Sequence, residues 1–167
     1  MMAIFTVEEI GEYKVNLLWS KMIQMAQDLT TSHERNKGQL GSFIHDHGWG
    51  ITWRNSSGQL LSHHSVNAIW NDELPSDVKE DVSRSNGFIL HIRQASPKLP
   101  IQASSCHPFI RESEGFGSVA LCHNGTIFNM ENIRYNKDKY KPIASSDTEL
   151  LLYSLLIFQS IVIINIS

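Results

Sequence analysis

Two cysteines in 167 residues, Cys106 and Cys122, leave no disulfide framework to read. The opening stretch, MMAIFTVEEIGEYK, lacks the cationic start and long apolar core of a signal peptide, so a reducing, cytoplasmic compartment is the expectation. The sequons at Asn55, Asn124 and Asn165 then carry no weight, because glycosylation needs a secretory route. Charge of one sign is missing too. With 14 Lys and Arg against 17 Asp and Glu, the net charge is −3 and no basic stripe exists, which argues against a nucleic-acid partner. The most apolar segment, Leu150 to Ile166, is interrupted by Ser154, Gln159, Ser160 and Asn165, and a membrane span needs about 20 apolar residues, so no membrane partner is expected. Internal repeats and low-complexity tracts are absent as well.

What is plentiful is histidine, with eight residues. His45-Asp46-His47 and His63-His64 offer metal-ligating nitrogens, but no pair stands at the i, i+4 helical spacing and no Cys-x-x-Cys accompanies them. Histidines scattered through loops and core are therefore expected, and no metal. The length suits one domain, able to bury roughly two thirds of its unfolded surface without staples.

Along the chain, Ala3–Val7 reads as a short strand. Val15, Leu18, Trp19, Met22, Met25, Ala26 and Leu29 recur at three-and-four spacing and predict an amphipathic helix that ends near Thr30. In "HGWGITWR" at 47–54, Trp49, Ile51 and Trp53 alternate as in a half-buried strand. A turn at 55–58 leads to a strand over Leu60–Ser65, and Pro75–Val82 suits a short helix. "GFILHIR" at 87–93 is apolar almost throughout, as in a strand covered on both faces. Residues 97–115 hold three prolines and no periodicity, and read as a long loop. "GSVALCHN" at 117–124 is another buried strand. Ser146 and Glu149 have the capping-box spacing, so a helix should begin at Asp147. Beyond it, a buried helix running into a strand-like "IVIINIS" is expected. Strands grouped between helices favour an α+β layered fold over a doubly wound parallel sheet.

Asn124-Gly125, in "ALCHNGTIFN", is ambiguous by itself. Between apolar runs it is a strong hairpin-turn signal. The same dipeptide could instead offer a side-chain amide and an exposed backbone N–H to a developing oxyanion. Cys122 and His123 are neighbours, and neighbours on a strand point to opposite faces, so a Cys-His nucleophile pair is not expected. Cys122 is read as a small buried hydrophobe.

Four segments decide the matter together: "HGWGI" at 47–51, "HIRQAS" at 91–96, "CHNGT" at 122–126 and "SDTE" at 146–149, with "CHPF" at 106–109 between them. In this order and spacing they resemble the class II glutamine amidotransferases, and most of all the stand-alone members without an attached synthase domain. The resemblance covers residues 1–158 as one domain and leaves 159–167 as an atypical apolar tail. It implies a four-layer αββα sandwich of the N-terminal-nucleophile hydrolase type, and cleavage of the side-chain amide of glutamine or a related γ-glutamyl amide through a cysteine thioester. That small molecule is the expected partner, and no metal or organic cofactor is implied.

Residue by residue, the resemblance implies that Arg93 grips the α-carboxylate, as a planar guanidinium fork can and a lysine cannot. Ser96 matches an assisting hydroxyl, and Asp147 the acid that receives the α-ammonium, at a helix start that favours negative charge. Asn124 and Gly125 match the oxyanion hole, with Gly leaving room for a carbonyl to approach the main chain. Trp49 and Gly50 match a family signature that packing explains equally well. The family's nucleophile is an N-terminal cysteine whose own amine is the general base. Met1-Met2-Ala3-Ile4 aligns best after the family's usual Met-Cys-Arg start, so a start called three codons late is one expectation and a natural loss leaving a glutamine-binding pseudoenzyme the other. "IFQSIVIINIS" does not resemble the family's usual continuation, so truncation at both ends is expected.

Overall fold

The computed structural model describes residues 2–6, 8–29, 44–95, 99–113, 117–144 and 146–157. Ser96 and the tail 159–167 lie outside the described residues. The chain mixes helix and sheet, as an α+β fold requires. Its elements run β1 (Met2–Phe5), α1 (Glu12–Ala26), β2 (Trp49–Arg54), β3 (Leu60–Ser65), α2 (Ser76–Arg84), β4 (Gly87–Ile92), β5 (Phe109–Ser113), β6 (Gly117–Leu121) and α3 (Asp147–Leu155).

β1 to β4 form one antiparallel sheet in the order β1-β4-β2-β3, and β5 pairs with β6 in a second. The alternation in β2 sets the layering. Trp49, Ile51 and Trp53 share a face with Phe88, Leu90 and Ile92 of β4, and onto that face pack Val15, Met22 and Ala26 of α1 with Val78 and Val82 of α2. Each fully buried side chain of this size contributes roughly 1.5–3 kcal/mol, which makes this cluster the main anchor of the fold. Trp49 is wholly buried and its indole N–H donates to Asp72, 3.2 Å away, a packing role.

The opposite face of the same strands looks toward the second sheet. There Gly50 pairs with His91 of β4 and His64 of β3. A Cβ on Gly50 would stand 2.3 Å from the His107 carbonyl oxygen and 2.4 Å from the His64 ring, so only glycine lets the 106–108 loop seat here. Beyond β5 and β6, Leu152 of α3 packs with Phe109 and Ala144.

Several expectations change. β1 spans Met2–Phe5, starting one residue earlier than expected, and lies at the edge of its sheet; Val7 is outside the described residues. α1 starts before Val15 and stops at Ala26, which leaves Leu29 exposed. The stretch read as one long loop, 97–115, contains β5; its Arg111 and Glu112 interrupt the apolar pattern that marks a strand. β6 is half-exposed rather than buried. α3 does begin at Asp147, but no capping box forms. Ser146 makes no side-chain cap, and Glu149 turns inward instead. No helix among the described residues is long and apolar enough to cross a membrane.

Candidate active site

Three chain ends converge beside the second sheet: the residue after β4, the segment after β6, and the first turn of α3. Arg93 follows β4, tied by its backbone N–H to the Gly48 carbonyl at 2.8 Å. Its guanidinium Nη2 donates to the Pro100 carbonyl at 3.2 Å. Nη1 is buried and has no hydrogen-bond partner among the described residues. A buried unpaired donor is costly, more so on a charged group, so this nitrogen has room for an acceptor that the described residues do not supply.

Asp147 opens α3. Its Oδ1 accepts from the Thr148 N–H at 2.8 Å, and its Oδ2 from the Ile127 N–H at 2.7 Å. The Thr148 hydroxyl adds a third, longer bond to Oδ1 at 3.3 Å, and a carboxylate still has a lone pair to spare for a cation. The Ile127 bond also pins the segment that leaves β6. His123 Nδ1 stands 4.0 Å from Asp147 Oδ2.

Asn124 and Gly125 lie on that pinned segment, exposed. Among the described residues β6 pairs only with β5 and no strand follows Gly125, so the dipeptide does not close a hairpin. Gly125 has φ +146, and a Cβ there would come within 2.9 Å of His123 Nε2. The Asn124 side-chain oxygen is 3.1 Å from Nε2 of buried His91.

His107 connects the parts. Its ring lies 4.6 Å from that of His91 and 4.9 Å from Phe109, centroid to centroid. Burial pushes its pKa down to about 4, with Asp147 acting upward and Arg93 and His123 downward. The acid of α3 and the arginine after β4 are therefore both close enough to act on one imidazole. His91 is pushed further down, to about 3, chiefly by burial and then by His107. Both rings are neutral near pH 7. The fold thus sets Arg93 and Asp147 within electrostatic reach of His107, and Asn124 against the neighbouring ring of His91.

Sequence reasoning passed over the histidines as scattered. His91, His107 and His123 each sit inside a quoted motif, HIRQAS, CHPF and CHNGT, and that shared placement was the available signal. Among the described residues no group of three or more His, Cys, Asp or Glu could hold a metal ion. Neither thiol is activated. Burial raises the pKa of Cys106, despite Arg93 nearby, and pushes Cys122 up to about 11. A thiol at such values is scarcely nucleophilic near neutrality. Cys122 is half-buried rather than enclosed.

Residues 17–162 match the family model described as glutamine amidotransferases class-II. No curated protein matches the chain.

Proposed function

The chain belongs to the class II glutamine amidotransferases, and from that premise we propose that it binds L-glutamine or a related γ-glutamyl amide between Arg93, Asp147, Asn124 and Gly125. In this reading Arg93 takes the α-carboxylate and Asp147 the α-ammonium. Asn124 and Gly125 face the side-chain carbonyl, where negative charge develops during attack. The single observation that carries the reading is the buried, unpaired Nη1 of Arg93 within electrostatic reach of the same imidazole as Asp147. A cation and an anion bracketing one site suit an amino-acid head.

The layers support a further part of the proposal. Helices α1 and α2, the four-stranded sheet, the two-stranded sheet and α3 follow one another as in an αββα sandwich of the N-terminal-nucleophile hydrolase type. The substrate is a small molecule in the cytoplasm, and the chemistry asks for no metal, organic cofactor, nucleic acid or membrane.

Cleavage through a thioester needs a reactive thiol, and burial holds both Cys106 and Cys122 above the ordinary thiol range. The register of β1 supports where such a group belongs. Met2 pairs with Leu90, and the pairing runs antiparallel, so a residue three places ahead of Met2 falls opposite Arg93, about 10 Å further along the strand. We propose that a cysteine there is the nucleophile, its α-amine taking the thiol proton and passing it to the departing ammonia. A pocket of this kind without the thiol would bind and not cleave, which is how a catalytically inactive binder would behave.

Calorimetry tests the binding. L-glutamine should titrate to a single site, and Arg93→Lys should weaken it at least roughly tenfold, because charge-assisted bonds contribute about 1.5–3 kcal/mol each and the fork geometry is lost. Unchanged affinity in that variant contradicts the carboxylate role. Placing Met-Cys-Arg ahead of Met1, with removal of the initiator, should give ammonia release that Cys→Ala abolishes. Release by the unextended chain, or none by the extended one, contradicts the nucleophile assignment.

A further inference from the structure

A side-chain amide is nearly symmetric in shape but opposite in polarity at its two ends. If Asn124 is to stabilise an oxyanion, its NH2 must face the substrate; turned over, its carbonyl oxygen would repel the developing charge. The fold needs a device that chooses. We propose that His91 is a positioning residue, whose ring Nε2–H holds the Asn124 carboxamide by its oxygen and so turns the amide NH2 toward the substrate carbonyl. This rests on the reading of Asn124 as an oxyanion donor.

The geometry carries the argument. His91 lies on β4 near its end, only 5% exposed, and its Nε2 stands 3.1 Å from Asn124 Oδ1. The other ring nitrogen, Nδ1, is buried with no hydrogen-bond partner among the described residues. The ring is held in place by its neighbours: His107 packs against it at 4.6 Å, and its cross-strand partner is Gly50, the glycine that lets His107 approach.

A neutral imidazole has one proton for two nitrogens. On Nε2 that proton is bonded to the Asn124 oxygen. On Nδ1 it would be a buried donor with no acceptor among the described residues, and buried orphan N–H groups are the rarest kind. The Nε2–H tautomer is therefore selected. Burial keeps the ring neutral, which preserves this one-proton choice. Tautomer and amide orientation are locked together, and the donor is aimed before any substrate arrives. Such preorganisation is what makes oxyanion donors effective.

Long-range ¹H–¹⁵N spectra of the labelled full chain at neutral pH test the inference. The His91 ring should be neutral with its proton on Nε2. The Asn124 side-chain NH2 resonances should shift in His91→Phe and return toward their original positions in His91→Gln, whose amide nitrogen reaches the place of Nε2. His91→Asn is too short to restore them. A proton on Nδ1, or Asn124 resonances indifferent to His91→Phe, would overturn the proposal. Should His91→Phe fail to fold, the tautomer in the unsubstituted chain decides alone. An L-glutamine titration of the same sample separates the two claims. No binding with the proton on Nε2 contradicts the proposed function and leaves the orientation standing. Binding with the proton on Nδ1 contradicts the orientation alone.

Discussion

Lowering the pH should unfold this protein through its buried imidazoles before most carboxylates titrate. His91 and His107 are held down to about 3 and about 4 from an ordinary 6.5, in both cases first by burial. His45 and His64 are lowered in the same direction for the same reason. Above 6.5 neither the folded nor the unfolded chain protonates these rings, and their contribution to stability is complete. Below it, the unfolded chain takes up protons that the folded chain refuses, so stability falls as the pH drops toward the folded values.

Each such ring costs about 1.4 kcal/mol per pH unit in that window. Two units down, near pH 4.5, His91 and His107 together remove about 5 kcal/mol, comparable to the whole stability of a marginal domain, about 5–15 kcal/mol. Urea unfolding at a series of pH values between about 7.5 and 4.5 measures this directly, with a constant m-value certifying that the folded state is the same. His107→Gln should reduce the slope by about 1.4 kcal/mol per pH unit. A stability that stays flat across the window, or a slope unchanged in that variant, would refute the claim that these rings are buried and neutral.

Other substitutions probe the supports of the site. Glu149 is wholly buried and accepts from Arg111, from the Tyr153 hydroxyl at 2.9 Å and from the Ile143 and Ala144 N–H groups at 3.0 and 2.7 Å. Glu149→Leu leaves the Tyr153 hydroxyl the Lys141 carbonyl at 3.2 Å but takes the shared acceptor from Arg111 and from the two N–H groups, and a loss of about 3–5 kcal/mol is expected in thermal or urea melts. Gly50→Ala drives a methyl into the His107 carbonyl, and should cost about 1–3 kcal/mol or more by the same melts. Asp147→Asn removes the negative charge and leaves one oxygen for two N–H donors, Ile127 and Thr148, so calorimetry should show L-glutamine affinity falling and melts a loss of about 1–3 kcal/mol for the stranded donor.

Periodicity made the scaffold legible. The three-and-four spacing of α1 and the alternation of Trp49, Ile51 and Trp53 marked the helix and strand that build the main core, and the apolar run at 87–93 marked β4. β5 was hidden because Arg111 reaches Glu149 across the second sheet, a long-range ion pair that looks locally like a solvated loop. Glu149 itself misled for a related reason. Its capping-box spacing is real, but the loop at 143–144 folds back onto it, and nothing local in the sequence announces that. The site was legible only as motifs taken together. Arg93, Asn124, Gly125 and Asp147 obey no common period and lie on three separate segments, after β4, after β6 and at the start of α3. The histidines that surround them were countable but not placeable, since a buried imidazole and an exposed one look alike in sequence.

The position of bound L-glutamine, in a crystal structure of the chain grown with it, tests the central claim most directly. The account predicts the α-carboxylate on Nη1 of Arg93, the α-ammonium on the Asp147 carboxylate, and the side-chain carbonyl directed at Asn124 and the Gly125 N–H. Glutamine seated in the reverse sense, bound away from Arg93 and Asp147, or absent from the pocket at saturating concentration would contradict it.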